Sequence, residues 1–215
     1  MKKVKKEILN SKVRAEKDRI LDFAFEKFLK EGFYKTTMDS LASDLRISKK
    51  TIYKHYPTKD ALVEDVVSRI MQNMSSKIDE IIKSEHNALG KVGNVMQLIG
   101  NFSLKISDNW LQDLRIHLPL LWERVDDFRT KKMYGILTKI IEQGKVEGYF
   151  IDKPNELIIL IFVSSVRSIV SPDFLYNQKL NIQEAFRHTF EILFNGILTT
   201  KGKKEFKKIF SKGIQ

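Results

Sequence analysis

The stretch 49–59 concentrates side chains that can hold a polyanion: Lys49, Lys50, Thr51, Tyr53, Lys54, His55 and Lys59. Ammonium groups on long stems reach base edges and phosphates, while hydroxyls and an aromatic ring brace against phosphate oxygens. If the chain is helical from Ser48 onward, Ile52 and Tyr56 turn inward together with Ile47, and Lys49, Lys50, Thr51, Tyr53 and Lys54 turn outward. Nothing acidic in the stretch shares that outer face, and a short helix of this make-up fits a DNA major groove. Pro57 and Thr58 open a further helix, which puts Lys59 in a first turn where the macrodipole disfavours a cation. A phosphate at that helix start would reverse the sign, with His55 beside it as another donor.

Other chemistry lacks equipment. The histidines, at 55, 86, 117 and 188, have no paired spacing, there is no glycine-rich phosphate loop, and no cysteine offers a nucleophile, a metal thiolate or a disulfide. Glu123, Asp126 and Asp127 lie together but read as a solvated helix end. The expectation is of no catalytic residue, no metal and no cofactor.

The polyanion-directed residues need a rigid mount, and their neighbours predict one. Thr37 caps a short helix in which Met38, Leu41, Ala42 and Leu45 recur at helical spacing, with Asp39 at the favourable dipole end. Ser48 restarts the pattern after Arg46 and Ile47, so the two helices meet across a very short turn and must cross steeply. A leading helix over 12–31, with Ile20, Leu21, Ala24 and Phe28 on one face, stops at Gly32, where Phe33 can pack back on Phe28. These three helices make a DNA-binding head, and the basic arm Lys2 to Lys6 ahead of them either trails toward DNA or, as the preferred reading, is an unattached tail.

On Thr37, Leu41, Ala42, Ser48, Thr51, Ile52, Tyr53, Tyr56, Pro57, Lys59, Ala61 and Leu62, the stretch Thr36 to Leu62 resembles the helix-turn-helix and fourth-helix start of TetR/AcrR-type transcriptional regulators. The resemblance implies that Thr37, Thr51, Tyr53, His55 and Lys59 touch the DNA backbone and that Lys49, Lys50 and Lys54 lie on the base-facing side. Two positions depart from the family pattern. Arg46 stands where the turn usually has glycine, at a steric cost if the backbone is left-handed there, and Lys50 stands where a small residue is common, which alters what the helix reads.

Charge follows the same division. Residues 1–60 hold 16 Lys/Arg against 9 Asp/Glu, residues 61–200 hold 16 against 17, and residues 201–215 hold six Lys against one Glu. A basic first module beside a near-neutral remainder suits phosphate attraction. The predicted organisation is all-α, with about nine or ten helices: a helix-turn-helix head over 1–58, a larger helical ligand-binding and dimerisation domain over 59–200, and a basic tail over 201–215. A long helix from Lys59 to about Ile81 links head to second domain, followed by segments near 91–106, 108–125 with a kink at Pro119, 127–148, 154–171 and 181–199. The longest apolar run, Leu157 to Val163, is far too short to cross a membrane, and the basic start lacks a secretory apolar core. The absence of cysteine fits a cytoplasmic protein.

Two sites are expected in the second domain. Trp110, Leu114, His117, Leu118 and Leu121 share a helical face that ends at Trp122, and with Phe102 and Ile106 they outline a mostly apolar pocket in which His117 orients a ligand or satisfies a core hydrogen bond. The last two long helices carry more apolar surface than one chain should hide: Ile161 in its apolar run, Ser164, Ser165 and Ser168 permitting close approach, then Phe190, Phe194 and Ile197. They predict a homodimer through a four-helix bundle. The function expected is a ligand-responsive repressor that binds a palindromic duplex operator as a dimer and is released by a small apolar effector. An effector-independent DNA-binding regulator, a helical enzyme working through Glu123 or His117, and a membrane-surface protein using its Lys-rich ends are the alternatives.

Overall fold

The computed structural model describes residues 2–169 and 181–210. Its helices are α1 (Lys2–Glu31), α2 (Met38–Asp44), α3 (Lys49–His55), α4 (Lys59–Lys83), α5 (Ala88–Ser103), α6 (Asp108–His117), α7 (Pro119–Val146), α8 (Asn155–Ile169), α9 (Ile182–Ile197) and α10 (Thr200–Phe210). Among the described residues the nearest approach to a strand is one isolated antiparallel bridge, Phe150 with Leu198. The chain packs as two compact units, Met1–Ile70 with Ile106–Trp122, and Met71–Lys105 with Glu123–Gln215. The segment 106–122, assigned from sequence to the second domain, thus packs with the head.

The first unit is built on the stop at Gly32. Its φ of 83° ends α1 in the left-handed region that favours glycine, and its N–H closes on the Phe28 carbonyl at 2.9 Å. A Cβ at this position would also lie 2.6 Å from Oδ2 of Asp113. Phe33 then folds back edge-on to Phe28, with ring centroids 6.1 Å apart, and Trp110 of α6 completes the cluster by stacking on Phe28 and meeting Phe33 edge-on. α6 is therefore fastened to α1 by its apolar stripe, and Ser107 at its start donates its N–H to the Leu29 carbonyl at 2.8 Å. Ile20, Ala24, Leu41, Ile52, Leu62 and Val63 fill the rest of this core.

α4 is continuous over 25 residues, as its unbroken apolar spacing predicts. Three boundaries differ from the sequence expectation. α1 begins at Lys2, ten residues before the expected start at Lys12. α6 stops at His117, and Pro119 starts a new 28-residue helix in place of kinking an old one, because a residue preceding proline is driven out of the helical region and Leu118 accordingly has ψ 60°. Residues 201–210, expected to be part of a basic tail that is a solvated end or a fraying helix, belong to α10, where Gly202 is buried so close to the Tyr149 carbonyl that a Cβ would collide with it. The sequence signal was Gly202, Phe206 and Ile209 at helical spacing beneath the lysines.

In the second unit α10 and α9 lie against α5, and α9 lies against α8. Phe162 of α8 meets Phe190 and Phe194 of α9, and Phe150 meets Phe194. Phe190, Phe194 and Ile197 are thus buried within one chain, which corrects their assignment to a surface left open for a partner. The tail of the expected segment 154–171 and Pro172 lie outside the described residues.

Candidate nucleic-acid interface

The helix-turn-helix is held by local hydrogen bonds that its sequence dictates. Thr37 Oγ1 accepts the Ser40 N–H at 3.0 Å while Ser40 Oγ accepts the Thr37 N–H at 3.2 Å, a reciprocal cap for α2. Ser48 Oγ accepts the Thr51 N–H at 3.0 Å and caps α3. Between them Arg46 takes φ 55°, the left-handed value that glycine usually supplies. Two bonds enforce it: the Arg46 N–H reaches the Ser43 carbonyl and the Ile47 N–H the Ala42 carbonyl, both at 3.0 Å, which is a Schellman ending with arginine in the glycine position.

On this mount Ile52 and Tyr56 are buried, and Lys49, Lys50, Tyr53 and Lys54 are exposed on α3. Thr51 is half-buried, its hydroxyl 2.8 Å from that of Ser48, and Thr37 is exposed. The hydroxyl proton of Thr37 stays available to a phosphate, since its oxygen only accepts in the cap. Lys49 is not left alone as its own helix suggested: Asp39 reaches across from α2 to pair with it, and that hydrogen bond raises the pKa of the ammonium group. Lys50 and Lys54 have no such acid, among the described residues.

His55 and Lys59 face the protein. The His55 side chain is only 4% exposed, and its Nε2 lies 2.8 Å from Oε2 of Glu16 on α1. Lys59 Nζ donates to the carbonyls of Phe33 at 3.0 Å, Tyr34 at 2.9 Å and Thr36 at 3.1 Å, which uses all three ammonium protons. Sequence reasoning placed both on phosphate and gave no sign of these partners, which lie far away in the chain. The same turn is held from its other side by Asp113, whose Oδ2 accepts the N–H groups of Phe33 at 2.7 Å and Tyr34 at 2.8 Å. Asp113 was missed because α6 was read only for its apolar stripe. A carboxylate from α6 on the N–H groups and an ammonium from α4 on the carbonyls together clamp the turn that leads into the Thr37 cap.

The residues expected to line a pocket are distributed differently. Trp110, Leu114 and Leu121 are buried, the first against the Phe28 and Phe33 rings. His117 is exposed and lies flat on Tyr34, ring centroids 3.8 Å apart, so it is not the inward-facing polar group the stripe suggested. Ile106, Leu118 and Trp122 are half-buried, as is Phe102 in the second unit. Of the acidic trio, Asp126 is drawn between Arg129 at 2.9 Å and Arg167 at 2.8 Å, and Asp127 pairs with Lys131 at 2.7 Å. Burial pulls the Arg129 pKa down, which Asp126 partly offsets. Among the described residues no group of three or more His, Asp or Glu is arranged to hold a metal ion.

The expected partner face resolves onto α8. Leu157, Leu160 and Ile161 are about half-exposed there, Ser164 and Ser168 continue the same stripe, and Ser165 is half-buried. Ile192 of α9 is 71% exposed. No described helix is long and apolar enough to cross a membrane.

Residues 20–66 match the model of the bacterial regulatory proteins of the tetR family. Over 180 residues the chain is 26% identical to the uncharacterized HTH-type transcriptional regulator YvaF of Bacillus subtilis, covering 83% of this chain and 94% of that one. It is 30% identical over 178 residues to the nucleoid occlusion factor SlmA of Vibrio campbellii, covering 72% and 83%. The crystal structure of a TetR-family transcriptional regulator from Agrobacterium tumefaciens shares the fold, with a TM-score of 0.66 over 87% of this chain and 100% of that one at 16% identity.

Proposed function

The chain belongs to the tetR family of bacterial regulatory proteins, and from that premise we propose that it is a cytoplasmic, ligand-responsive repressor that binds a palindromic operator as a homodimer and releases it when a small apolar effector binds. It is a DNA-binding transcriptional regulator and not an enzyme. The observation that carries the reading is the outer face of α3, where Lys50, Tyr53 and Lys54 stand exposed over a helix anchored by buried Ile52. Lys49, Lys50 and Lys54 read base edges, while Thr37, Thr51 and Tyr53 fix the register on phosphates. His55 and Lys59 support that face from behind.

The homodimer forms through the open α8 stripe of Leu157, Leu160, Ile161, Ser164 and Ser168, with Ile192 of α9 beside its own chain's bundle. Two-fold symmetry then places the recognition helices about 34–36 Å apart, or a multiple of that, which a palindrome matches. The apolar effector acts on the segment 106–122, where Ile106, Leu118 and Trp122 keep part of their surface open. Its binding reaches DNA through Asp113, because any movement of α6 pulls on the turn that precedes α2. A tenfold loss of operator affinity requires about 1.4 kcal/mol of preference for the released state.

The test is a selection of duplex fragments by the purified protein, followed by a hydrophobic-ligand screen read by tryptophan emission and then by operator affinity. Enrichment of a palindrome, and hits that quench Trp122 and weaken operator binding, support the reading. Enrichment of no sequence removes the DNA assignment, whereas hits that bind without changing operator affinity leave an effector-independent regulator.

A further inference from the structure

Over residues 11–15, ahead of Glu16, helix α1 contributes no buried side chain to the core of its unit. The helix starts at Lys2, the family match starts at residue 20, and no side chain from 11 to 19 is buried before Ile20 opens the core. Charge changes character at the same place. Between Glu16 and Asp22 the charged residues of α1 are tied to the head: Glu16 to His55 at 2.8 Å, Lys17 to Asp65 at 2.8 Å, Arg19 to the Leu45 carbonyl at 2.7 Å, and both Asp18 and Asp22 to Arg69. Ahead of Glu16, Lys12 and Arg14 are exposed and meet no carboxylate among the described residues. Residues 2–14 carry six Lys/Arg against the single Glu7.

Residues 11–15 of this helix gain little packing from their own chain. Most helical stability in proteins comes from a packed face, and α1 has no acid in its first turn, where the macrodipole favours one and disfavours lysine. A polyanion alongside would reverse the sign of every one of these terms. The place where the extension leaves the head indicates which polyanion. Glu16 lies beside His55, the last residue of α3, Arg19 holds the α2–α3 turn at Leu45, and the Lys17 ammonium sits 5.0 Å over the Tyr56 ring. The extension therefore departs from the C-terminal end of the recognition helix. At 1.5 Å per residue it spans about 21 Å from Glu16 back to Lys2, a length over which a duplex presents a charge roughly every 1.7 Å.

We propose that residues 2–14 are a second DNA-binding element, a basic helical arm that lies on phosphates flanking the sequence read by α3. The proposal rests on the DNA-reading role of α3. The arm adds affinity and footprint without base preference, since lysines on phosphate carry no sequence information.

The experiment compares the full-length chain with a variant carrying Lys2→Ala, Lys3→Ala, Lys5→Ala and Lys6→Ala on the duplex recovered by selection. The slope of log affinity against log salt should shrink by about 3–4, and the wild-type advantage of about 10² at 200 mM salt should widen at 50 mM. Hydroxyl-radical footprints should lose protection only at their outer edges, while the selected sequence stays the same. A second variant, Lys12→Ala with Arg14→Ala, should give a smaller loss of the same kind. An unchanged slope and footprint, with wild-type binding intact, overturn the arm alone, as does a variant that loses only binding to anionic phosphatidylserine vesicles. A wild-type chain that binds no duplex overturns the arm and the role of α3 together.

Discussion

Lys50 and Lys59 are nine positions apart in the same DNA-binding head, and they illustrate two opposite uses of one side chain. Lys50 stands on the outer face of α3 and is exposed, whereas Lys59 is half-buried with every proton on a carbonyl of the 33–36 turn. The ammonium groups are chemically identical. What differs is whether backbone acceptors lie within reach, and α1 delivers three of them to Lys59 by ending at Gly32. Positive charge near a recognition helix is therefore no measure of DNA contact; a cation whose hydrogen bonds are already made supports the fold, and one without them is available to DNA.

The comparison breaks first at Lys59. Lys59→Met should destabilise the protein by on the order of 3 kcal/mol in chemical denaturation, because three carbonyls lose a charged donor at once. Lys50→Ala should stay within about 0.5 kcal/mol of the parent. Equal stabilities for the two variants would erase the distinction. Next in size is Asp113→Ala, which strands the Phe33 and Tyr34 N–H groups and should cost about 2 kcal/mol, with Asp113→Asn intermediate because an amide oxygen still accepts. Hydrogen exchange at those two amides checks the mechanism, since both should speed up in Asp113→Ala and stay slow in Lys50→Ala.

Arg46 gives a smaller effect of opposite sign. Its left-handed backbone costs a residue with a Cβ about 1 kcal/mol, so Arg46→Gly should stabilise the protein by roughly that amount, less what glycine adds to unfolded-state entropy. A melting temperature that falls would show that the arginine side chain holds something its geometry does not reveal. Smallest is the partner surface. Ile161→Glu on the open α8 stripe should leave the folded far-UV signal of the chain unchanged while shifting light scattering from dimer to monomer at micromolar concentration.

These contrasts also separate what could be read in the sequence from what could not. The caps of Thr37 and Ser48, the stop at Gly32 and the unbroken run of α4 were legible because each is decided within a few residues. The outer face of α3 was legible for the same reason, by its spacing around Ile52. The partners that His55 and Lys59 take inside the protein were not legible, because Glu16 and the 33–36 carbonyls lie far away in the chain and no local pattern encodes their approach. The stripe on α6 was correctly apolar, yet apolarity does not name a partner, and Trp110 found Phe28 and Phe33 where a ligand pocket had been expected. Phe190 and Phe194 likewise met Phe162 of their own chain, which moved the open surface to Leu157, Leu160 and Ile161.

The most direct test of the account is base preference, because it is indifferent to stability. Duplex selections should be run in parallel with the wild-type chain, Lys50→Ala and Lys59→Met, each at a temperature where it is folded. The account predicts that all three recover a palindrome, that Lys50→Ala changes the preferred base at its position in each half-site, and that Lys59→Met recovers the wild-type sequence at weaker affinity. A sequence shift in Lys59→Met, or an unshifted sequence in Lys50→Ala, would contradict it.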